Sequence, residues 1–243
     1  MAERSIYLDN AATTKVYPEV VEAMMPFFTE YYGNPSSIYS FAGKSSKAVA
    51  DSRKVIADLI GADSSEIYFT GGGSESDNWA LKATAEAYGV KGKHIITSKI
   101  EHHAILHTAE WLEKNGFEVT YLDVDSNGIV QPEALKAAIR PDTILVSIMM
   151  ANNEIGTIEP IREIGAIARE NGIVFHTDAV QAFGQVPINV VTNTVNNVET
   201  NVAITKFTIT DQSIFPIFLS FDSDLSSSLF FDKPKLYLAN LLL

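Results

Sequence analysis

The chain has 243 residues, of which 46% are hydrophobic and 20% charged, a composition typical of a globular protein with a sizeable core. Its formal net charge of −12 argues against nucleic-acid binding, which requires clustered Lys and Arg. No signal-peptide core or membrane-spanning run is present, so we expect a cytoplasmic protein without a membrane partner. The absence of cysteine excludes disulfides, cysteine-ligated metals and a thiol nucleophile supplied by this chain.

Helical and strand-like patterns alternate up to about residue 190. Pro18 suits the first position of a helix that reaches Tyr32, and an amphipathic helix over residues 44–60 is stopped by Gly61. Further helical patterns cover residues 75–88, 104–114, 132–139 and 161–170. Strand-like runs cover residues 66–70, 94–98, 117–122, 143–149 and 173–177. This alternation predicts βαβ units, and therefore an α/β fold of three layers (αβα) with a mostly parallel sheet.

The segment from about residue 191 has a different composition. All 14 glycines lie at or before Gly184, whereas the tail has Asn- and Thr-rich residues, an apolar run over residues 214–219 and a Leu-rich end. One interpretation is a polar linker followed by a short C-terminal element. The interpretation we favour is a segment foreign to the fold, as after a truncation or a shifted reading frame. The predicted division is therefore a domain over residues 1–190 and an atypical tail over residues 191–243.

A glycine-rich loop, Phe69-Thr-Gly-Gly-Gly-Ser-Glu-Ser-Asp77, joins a predicted strand to a predicted helix. Three glycines allow a ligand to approach the backbone, and the N–H groups of a helix that starts at Ser74 attract phosphate. The loop is neither a GxGxxG motif nor a P-loop. An ordinary turn, with Ser74 and Asp77 as a capping pair, is an equally weighted alternative.

Histidines follow the next predicted strand in the run Glu101-His-His-Ala-Ile-Leu-His107. His103 and His107 are four residues apart, but a third ligand is lacking, so no metal site is expected. His102, at the strand-to-helix junction, either faces the mouth of the sheet or is a structural histidine. Residues 123–128 resemble the start of a calcium loop, yet Ala134 stands where the ligating Glu is required, so we expect an Asn-Gly turn.

Two further strand ends carry polar side chains. Asn152 and Asn153 favour either a turn or a site for a ligand oxygen. Asp178 ends a run typical of a strand buried on both faces, and Gln181 follows three residues later. Ligands of open α/β sheets bind beyond the carboxyl ends of the strands, where a carboxylate requires a cation. Pyridoxal phosphate, a phosphorylated heteroaromatic cation, would satisfy all of these groups.

Several motifs closely resemble those of cysteine desulfurases, which are fold-type I, class V aminotransferase-like enzymes. They are Tyr-Leu-Asp-Asn-Ala-Ala-Thr-Thr at 7–14, Gly-Asn-Pro-Ser-Ser at 33–37, Phe-Thr-Gly-Gly-Gly-Ser-Glu-Ser at 69–76, Glu-His at 101–102, Asn-Asn-Glu-Ile-Gly at 152–156 and His-Thr-Asp-Ala-Val-Gln at 176–181. The resemblance extends over about residues 6–190. It implies the large domain of a homodimeric enzyme that takes sulfur from L-cysteine as an enzyme persulfide and leaves L-alanine. A sulfur-acceptor or scaffold protein then receives the sulfur for iron–sulfur clusters and other thio-cofactors.

The same resemblance implies roles for individual residues. Gly73 and Ser74 hold the cofactor phosphate, and His102 stacks on the ring and moves protons. Asn153 and Gln181 contact the phenolic oxygen of the ring. Asp178 contacts the pyridine nitrogen and keeps it protonated.

The chain also departs from the family pattern. The family's Ser-x-His-Lys element, whose lysine tethers the cofactor, is replaced by Asn-Val-Ala-Ile-Thr-Lys-Phe at 201–207, which displaces Lys206 by about two positions. The persulfide-forming cysteine, the small C-terminal domain and its substrate-binding arginine are missing, and Tyr39 replaces a common histidine. We therefore expect a truncated large domain that is inactive alone. The alternatives are another class V reaction, such as selenocysteine lyase or aminotransferase chemistry, and a non-catalytic fragment that binds the cofactor or dimerises.

Overall fold

Helices and strands alternate along the part of the chain that the computed structural model describes, residues 6–190 and 202–205. The helices are α1 Pro18–Thr29, α2 Gly43–Ile60, α3 Gly73–Tyr88, α4 His103–Lys114, α5 Pro132–Ala138 and α6 Ile161–Glu170. The strands are β1 His94–Ser98, β2 Glu118–Leu122, β3 Thr143–Ser147, β4 Val174–Asp178 and β5 Val202–Thr205. Within these ranges, no helix is both long and apolar enough to cross a lipid bilayer.

The five strands form one sheet in the order β2–β1–β3–β4–β5, and every neighbouring pair is parallel. The chain adds β2 on one side of β1 and then returns to add β3, β4 and β5 on the other side. The direction of strand addition therefore reverses between β1 and β3. Such a switch point leaves a crevice at the carboxyl ends of the strands.

Apolar side chains cover both faces of the sheet, because successive residues of a strand point to opposite faces. Ile96 and Val146 belong to a buried cluster that also contains residues of α2, α5 and α6. Their chain neighbours Ile95 and Leu145 belong to a second buried cluster with residues of α3 and α4. This double burial explains why the central strands β1, β3 and β4 are buried at every position, whereas β2 at the edge is partly exposed. The predicted three-layer α/β fold with a parallel sheet is confirmed.

The predicted strand over residues 66–70 is wrong. Ser64–Glu66 form a 3₁₀ turn closed by a capping box, in which the backbone N–H of Asp63 donates to Glu66 Oε2 at 2.7 Å. Ile67 is buried and extended, with φ −96° and ψ 123°, but no described strand pairs with the residues that follow it. Apolar, extended residues resemble a strand in sequence, whereas a strand requires a hydrogen-bonded neighbour.

Other elements agree more closely with the predictions. Gly61 ends α2 in the left-handed conformation, with φ 74°, and α6 has the predicted bounds. Helix α1 ends at Thr29 rather than Tyr32. The predicted Asn-Gly turn is confirmed, since Asp125 Oδ1 accepts hydrogen bonds from the backbone N–H groups of residues 127 and 129.

The proposed tail over residues 191–243 lies largely outside the described residues, and Lys206 lies outside them as well. Its described part, β5, extends the sheet beside β4, where Thr205 pairs with Asp178. The division of the chain at residue 190 stays a prediction.

Candidate functional site

A cleft of about 280 Å³ opens at the carboxyl edge of the sheet. Its walls come from the start of α3, the β1–α4 loop, the segment after β3 and the end of β4. The structure brings all of the predicted site residues into this cleft: Gly73, Ser74, His102, Asn153, Asp178 and Gln181. Their roles as ligands of a cofactor stay predictions.

The first turn of α3 forms one wall of the cleft. The residue that caps the helix is Gly72 and Ser74 lies within the helix, so the alternative in which Ser74 and Asp77 form a capping pair is wrong. Glu75 instead reaches back to the loop, where its Oε2 accepts the N–H of Gly71 at 2.5 Å. The helix starts at Gly73, one residue before the predicted start at Ser74 and two before the predicted helical pattern over residues 75–88. Because the N-terminal N–H groups of a helix carry partial positive charge, this wall suits a phosphate group.

His102 combines a structural contact with a position in the cleft. Its Nδ1 accepts the backbone N–H of Ala104 at 3.1 Å and so caps α4. A neutral imidazole that accepts at Nδ1 carries its proton at Nε2. Both interpretations of His102 therefore hold, since one ring nitrogen caps the helix while the side chain lines the cleft.

The other two histidines of this run pack against each other. The rings of His103 and His107 stack with their centroids 5.4 Å apart. In the described ranges, no group of three or more His, Cys, Asp or Glu side chains is arranged to hold a metal ion.

The two adjacent asparagines have different surroundings. Asn152 is buried, and its Nδ2 donates to the carbonyl of Ile100 at 3.0 Å. Its Oδ1 accepts the N–H groups of Glu154 at 2.8 Å and Ile155 at 3.0 Å. Asn153 lines the cleft instead. The sequence left a turn and a ligand site as alternatives, and the structure assigns the turn to Asn152 and the cleft position to Asn153.

Two carboxylates face the cleft. Asp178, the last residue of β4, is 6% exposed, and its Oδ1 accepts the N–H of Val180 at 2.8 Å. Asp77 of α3 is 1% exposed and also lines the cleft. No lysine or arginine occurs among the described residues that line it. Two buried carboxylates give this part of the cleft a negative character, which is compatible with a positively charged group on a ligand.

The sequence analysis did not assign Asp77 to the site. Asp77 lies four residues after Gly73, and this spacing places both residues on one side of α3. The spacing is the feature of the sequence from which Asp77 could have been predicted to line the cleft. Behind it lies the fully buried His176, whose Nδ1 is 2.7 Å from Ser147 Oγ and whose Nε2 is 3.9 Å from Asp77 Oδ1. Burial lowers the pKa of His176 to about 3, so its imidazole is neutral at physiological pH.

The cleft has the groups that pyridoxal phosphate requires. The start of α3 provides N–H donors for a phosphate, and Asp178 provides a carboxylate for a protonated pyridine nitrogen. Apolar side chains of Ala11, Ala12 and Met149 complete the walls. The residues present therefore fit this cofactor in charge and in chemical type.

A parallel α/β sheet with such a cleft at its carboxyl edge is the architecture of a cofactor-binding α/β domain. The sequence matches the aminotransferase class-V family over residues 6–196, and the chain belongs to that family. Members of this family use pyridoxal phosphate.

Similar curated proteins are cysteine desulfurases. The chain is 64% identical over 187 residues to the cysteine desulfurase IscS of Methanosarcina thermophila, covering 77% of this chain and 46% of the relative. It is 60% identical over 187 residues to the cysteine desulfurase IscS of Clostridium botulinum, covering 77% of this chain and 47% of that protein. The chain thus spans about half the length of the curated relatives it matches.

Two solved structures are also similar to this chain. A NifS-like protein superposes with a TM-score of 0.75 at 40% identity, covering 77% of this chain and 52% of that chain. A structure of SspA in complex with cysteine superposes with a TM-score of 0.77 at 40% identity, covering 82% of this chain and 56% of that chain. Both structures are matched over about half their length.

Proposed function

We propose that the chain is the pyridoxal phosphate-binding part of a cysteine desulfurase and that this polypeptide does not release sulfur from L-cysteine by itself. The observation that carries the proposal is the composition of the cleft. The start of α3 suits the phosphate of the ligand, and the buried Asp178 suits its protonated ring nitrogen. The curated relatives named cysteine desulfurases and the relative solved with cysteine support L-cysteine as the substrate.

Each predicted residue has a role in this proposal. The N–H groups at Gly73 and Ser74 hold the phosphate, and Asp178 accepts a hydrogen bond from the protonated ring nitrogen. Asn153 and Gln181 bind the phenolic oxygen. His102 packs on the ring and holds a proton at Nε2. When bound, the cofactor supplies an electron sink for bond cleavage at the substrate amino acid.

The chain lacks the group that accepts sulfur. Removal of sulfur as a persulfide requires a thiolate, and the sequence contains no cysteine. We therefore expect neither sulfide nor L-alanine when the purified chain is incubated with L-cysteine and pyridoxal phosphate. An intact cysteine desulfurase assayed in parallel provides the positive control, and turnover by this chain at a comparable rate would overturn the proposed inactivity.

Cofactor binding is tested separately from turnover. Pyridoxamine 5′-phosphate is the suitable probe for calorimetric titration, because its amine does not condense with surface lysines. Asp178→Asn keeps the Oδ1 acceptor for Val180 but removes the charge, and loss of a charge-assisted hydrogen bond costs about 1.5–3 kcal/mol, or roughly ten- to hundredfold in affinity. Asp51→Asn, at an exposed position of α2, is the matched control.

The comparison of the two variants decides the assignment of Asp178. We expect Asp51→Asn to bind the probe as the wild-type chain does and Asp178→Asn to bind it more weakly. Equal affinity for wild type and Asp178→Asn would remove Asp178 from the ring-nitrogen position. An absence of binding by the wild-type chain would contradict the proposed cofactor site as a whole.

A second candidate is a fragment that dimerises, either with itself or with an intact subunit. The N-terminal part of the chain exposes several large apolar side chains, among them Leu8 at 84%, Ile38 at 104% and Tyr32 at 67%. Exposed apolar residues in such number are typical of a surface that another chain covers. Co-expression with an intact homologue, followed by size-exclusion chromatography with light scattering, tests this. A mixed dimer or a dimer of the chain itself supports the candidate, and a chain that stays monomeric excludes it. A sulfur-acceptor or scaffold protein is a further proposed partner, and we expect it to receive sulfur only from the intact enzyme.

A further inference from the structure

One carboxyl group joins the exits of two strands beside the cleft. Glu101 is 5% exposed, and its Oε1 accepts the hydroxyl of Ser98 at 2.6 Å and the backbone N–H of Met149 at 3.0 Å. Ser98 is the last residue of β1, and Met149 follows the end of β3. Strands β1 and β3 flank the switch point of the sheet, so Glu101 ties the two sides of the crevice together.

Asn152 forms a second connection between the same two segments. Its Nδ2 donates to the carbonyl of Ile100, which precedes Glu101, while its Oδ1 holds the turn that follows β3. The β1–α4 loop therefore contacts the segment after β3 through both Glu101 and Asn152. Two polar cleft residues of these segments, His102 and Asn153, are the next residues in the chain after Glu101 and Asn152.

The surroundings of Glu101 favour its neutral form. Burial raises the pKa of Glu101 to about 8; hydrogen bonds from Ser98 and Met149 oppose this rise, and the negative charges of Asp178 and Glu159 add to it. Because Oε1 accepts two hydrogen bonds, the proton belongs on Oε2, which is buried and has no hydrogen-bond partner among the described residues. A neutral Glu101 adds no further negative charge near Asp178.

We propose that Glu101 is a positioning residue of the cleft, which acts with Asn152 to fix the β1–α4 loop against the segment after β3 and so sets the positions of His102 and Asn153. The identity of the ligand rests on the proposed function. The positioning itself is a property of the chain without any ligand, and it is measured in that state.

Amide hydrogen exchange followed by NMR tests the positioning on the ligand-free protein. The N–H of Ala104 reports on His102, to which it donates, and the N–H of Ile155 reports on Asn152. The N–H of Ile96, in the centre of β1, reports on the sheet. We expect Glu101→Ala to speed exchange at residues 104 and 155 about tenfold more than at Ile96, since a hydrogen bond of about 1.4 kcal/mol corresponds to tenfold.

Three further variants separate positioning from a general loss of stability. Glu101→Gln keeps the Oε1 acceptor and the side-chain shape, so exchange at residues 104 and 155 should stay within about threefold of wild type. Glu110→Gln, at an exposed position of α4, should change nothing. Ser98→Ala removes one of the two bonds to Oε1 and leaves the carboxyl group in place, and it provides the measurement if Glu101→Ala does not fold. We expect it to speed exchange at residues 104 and 155 more than at Ile96.

The affinity for pyridoxamine 5′-phosphate is then measured on the same variants. Glu101→Ala, or Ser98→Ala in its place, should bind more weakly than wild type, and Glu101→Gln should bind as wild type does. Uniform faster exchange at residues 96, 104 and 155 would show that Glu101 supports the whole sheet and would overturn the proposal. If the wild-type chain does not bind the probe, the proposed function fails, while the exchange pattern still decides whether Glu101 positions the two segments.

Discussion

Titration of Glu101 makes the stability of the fold depend on pH in a direction that the structure predicts. Its pKa rises from 4.5 to about 8 in the folded chain, because burial disfavours the carboxylate. The folded state therefore holds a proton that the unfolded state releases above pH 4.5. The stabilisation is fully present below pH 4.5 and is lost as the pH rises to about 8. At 1.36 kcal/mol per pKa unit, the loss amounts to about 5 kcal/mol as an upper value.

His176 has the opposite effect over part of the same range. Its pKa falls from 6.5 to about 3 on burial, so the unfolded state binds a proton that the folded state does not. Its contribution to the free energy of unfolding is complete above pH 6.5 and decreases as the pH falls towards 3. The contributions of these two residues oppose each other between pH 4.5 and 6.5, and of the two only Glu101 contributes between pH 6.5 and 8.

The assay is urea denaturation of wild type and Glu101→Gln at several pH values between 4.5 and 8.5, followed by the fluorescence of Trp79 and Trp111. The difference in the free energy of unfolding, wild type minus variant, should fall steadily across this range, because the glutamine does not titrate. His176 is present in both proteins, so its contribution cancels in the difference. A difference that changes by less than about 1 kcal/mol would refute the raised pKa and, with it, the neutral state of Glu101 near pH 7.

Three further changes test separate parts of the structure. Gly61→Ala should lower the free energy of unfolding by about 1 kcal/mol in thermal or urea denaturation. Gly61 has φ 74°, and an added Cβ would lie 2.9 Å from the side chain of Asn189. An unchanged free energy of unfolding would contradict the left-handed conformation at the end of α2. Ser74→Asp should stabilise α3 by about 0.5 kcal/mol, because a negative charge suits a helix N-terminus. The same variant should bind pyridoxamine 5′-phosphate at least tenfold more weakly, whereas its affinity for pyridoxamine, which has no phosphate, should be unchanged. Equal weakening for both compounds would remove the phosphate from this wall. The ring proton signals of His176 should not titrate between pH 4.5 and 8 in NMR spectra, and a midpoint near 6.5 would show that the imidazole is not buried in neutral form.

The sheet and most helices were predictable from the sequence because their burial patterns are regular. Strand β3, which is buried on both faces, has a continuous apolar run over residues 144–146, and Gly61 marks the end of α2 through its conformational freedom. Residues 67–70 have the same apolar character, but no described strand forms hydrogen bonds with them. The residues of a segment do not by themselves show whether another strand will pair with it. For that reason the strand over residues 66–70 was predicted wrongly.

Most of the polar residues that line the cleft could be predicted from the sequence, but the contacts that hold them in place could not. Parallel strands place their carboxyl ends at one edge, so polar residues after β1, β3 and β4 had to meet there. Two features required the structure. Asp77 enters the cleft through the first turn of α3 rather than through a strand end, and Glu101 contacts Met149, which is 48 residues away in the chain.

Two polar pairs at strand exits share a division of roles. In Glu101-His102 and in Asn152-Asn153, the first residue is buried and hydrogen-bonded to the neighbouring segment, and the second lines the cleft. In each pair the two side chains have different surroundings, and only the second one lines the cleft. The member closer to the strand satisfies the polar backbone groups that the end of the strand leaves unpaired. Its removal should therefore disturb the cleft without removing any contact to the ligand. Removal of the second member should weaken ligand binding with a smaller effect on the fold, which at His102 is the loss of the α4 cap.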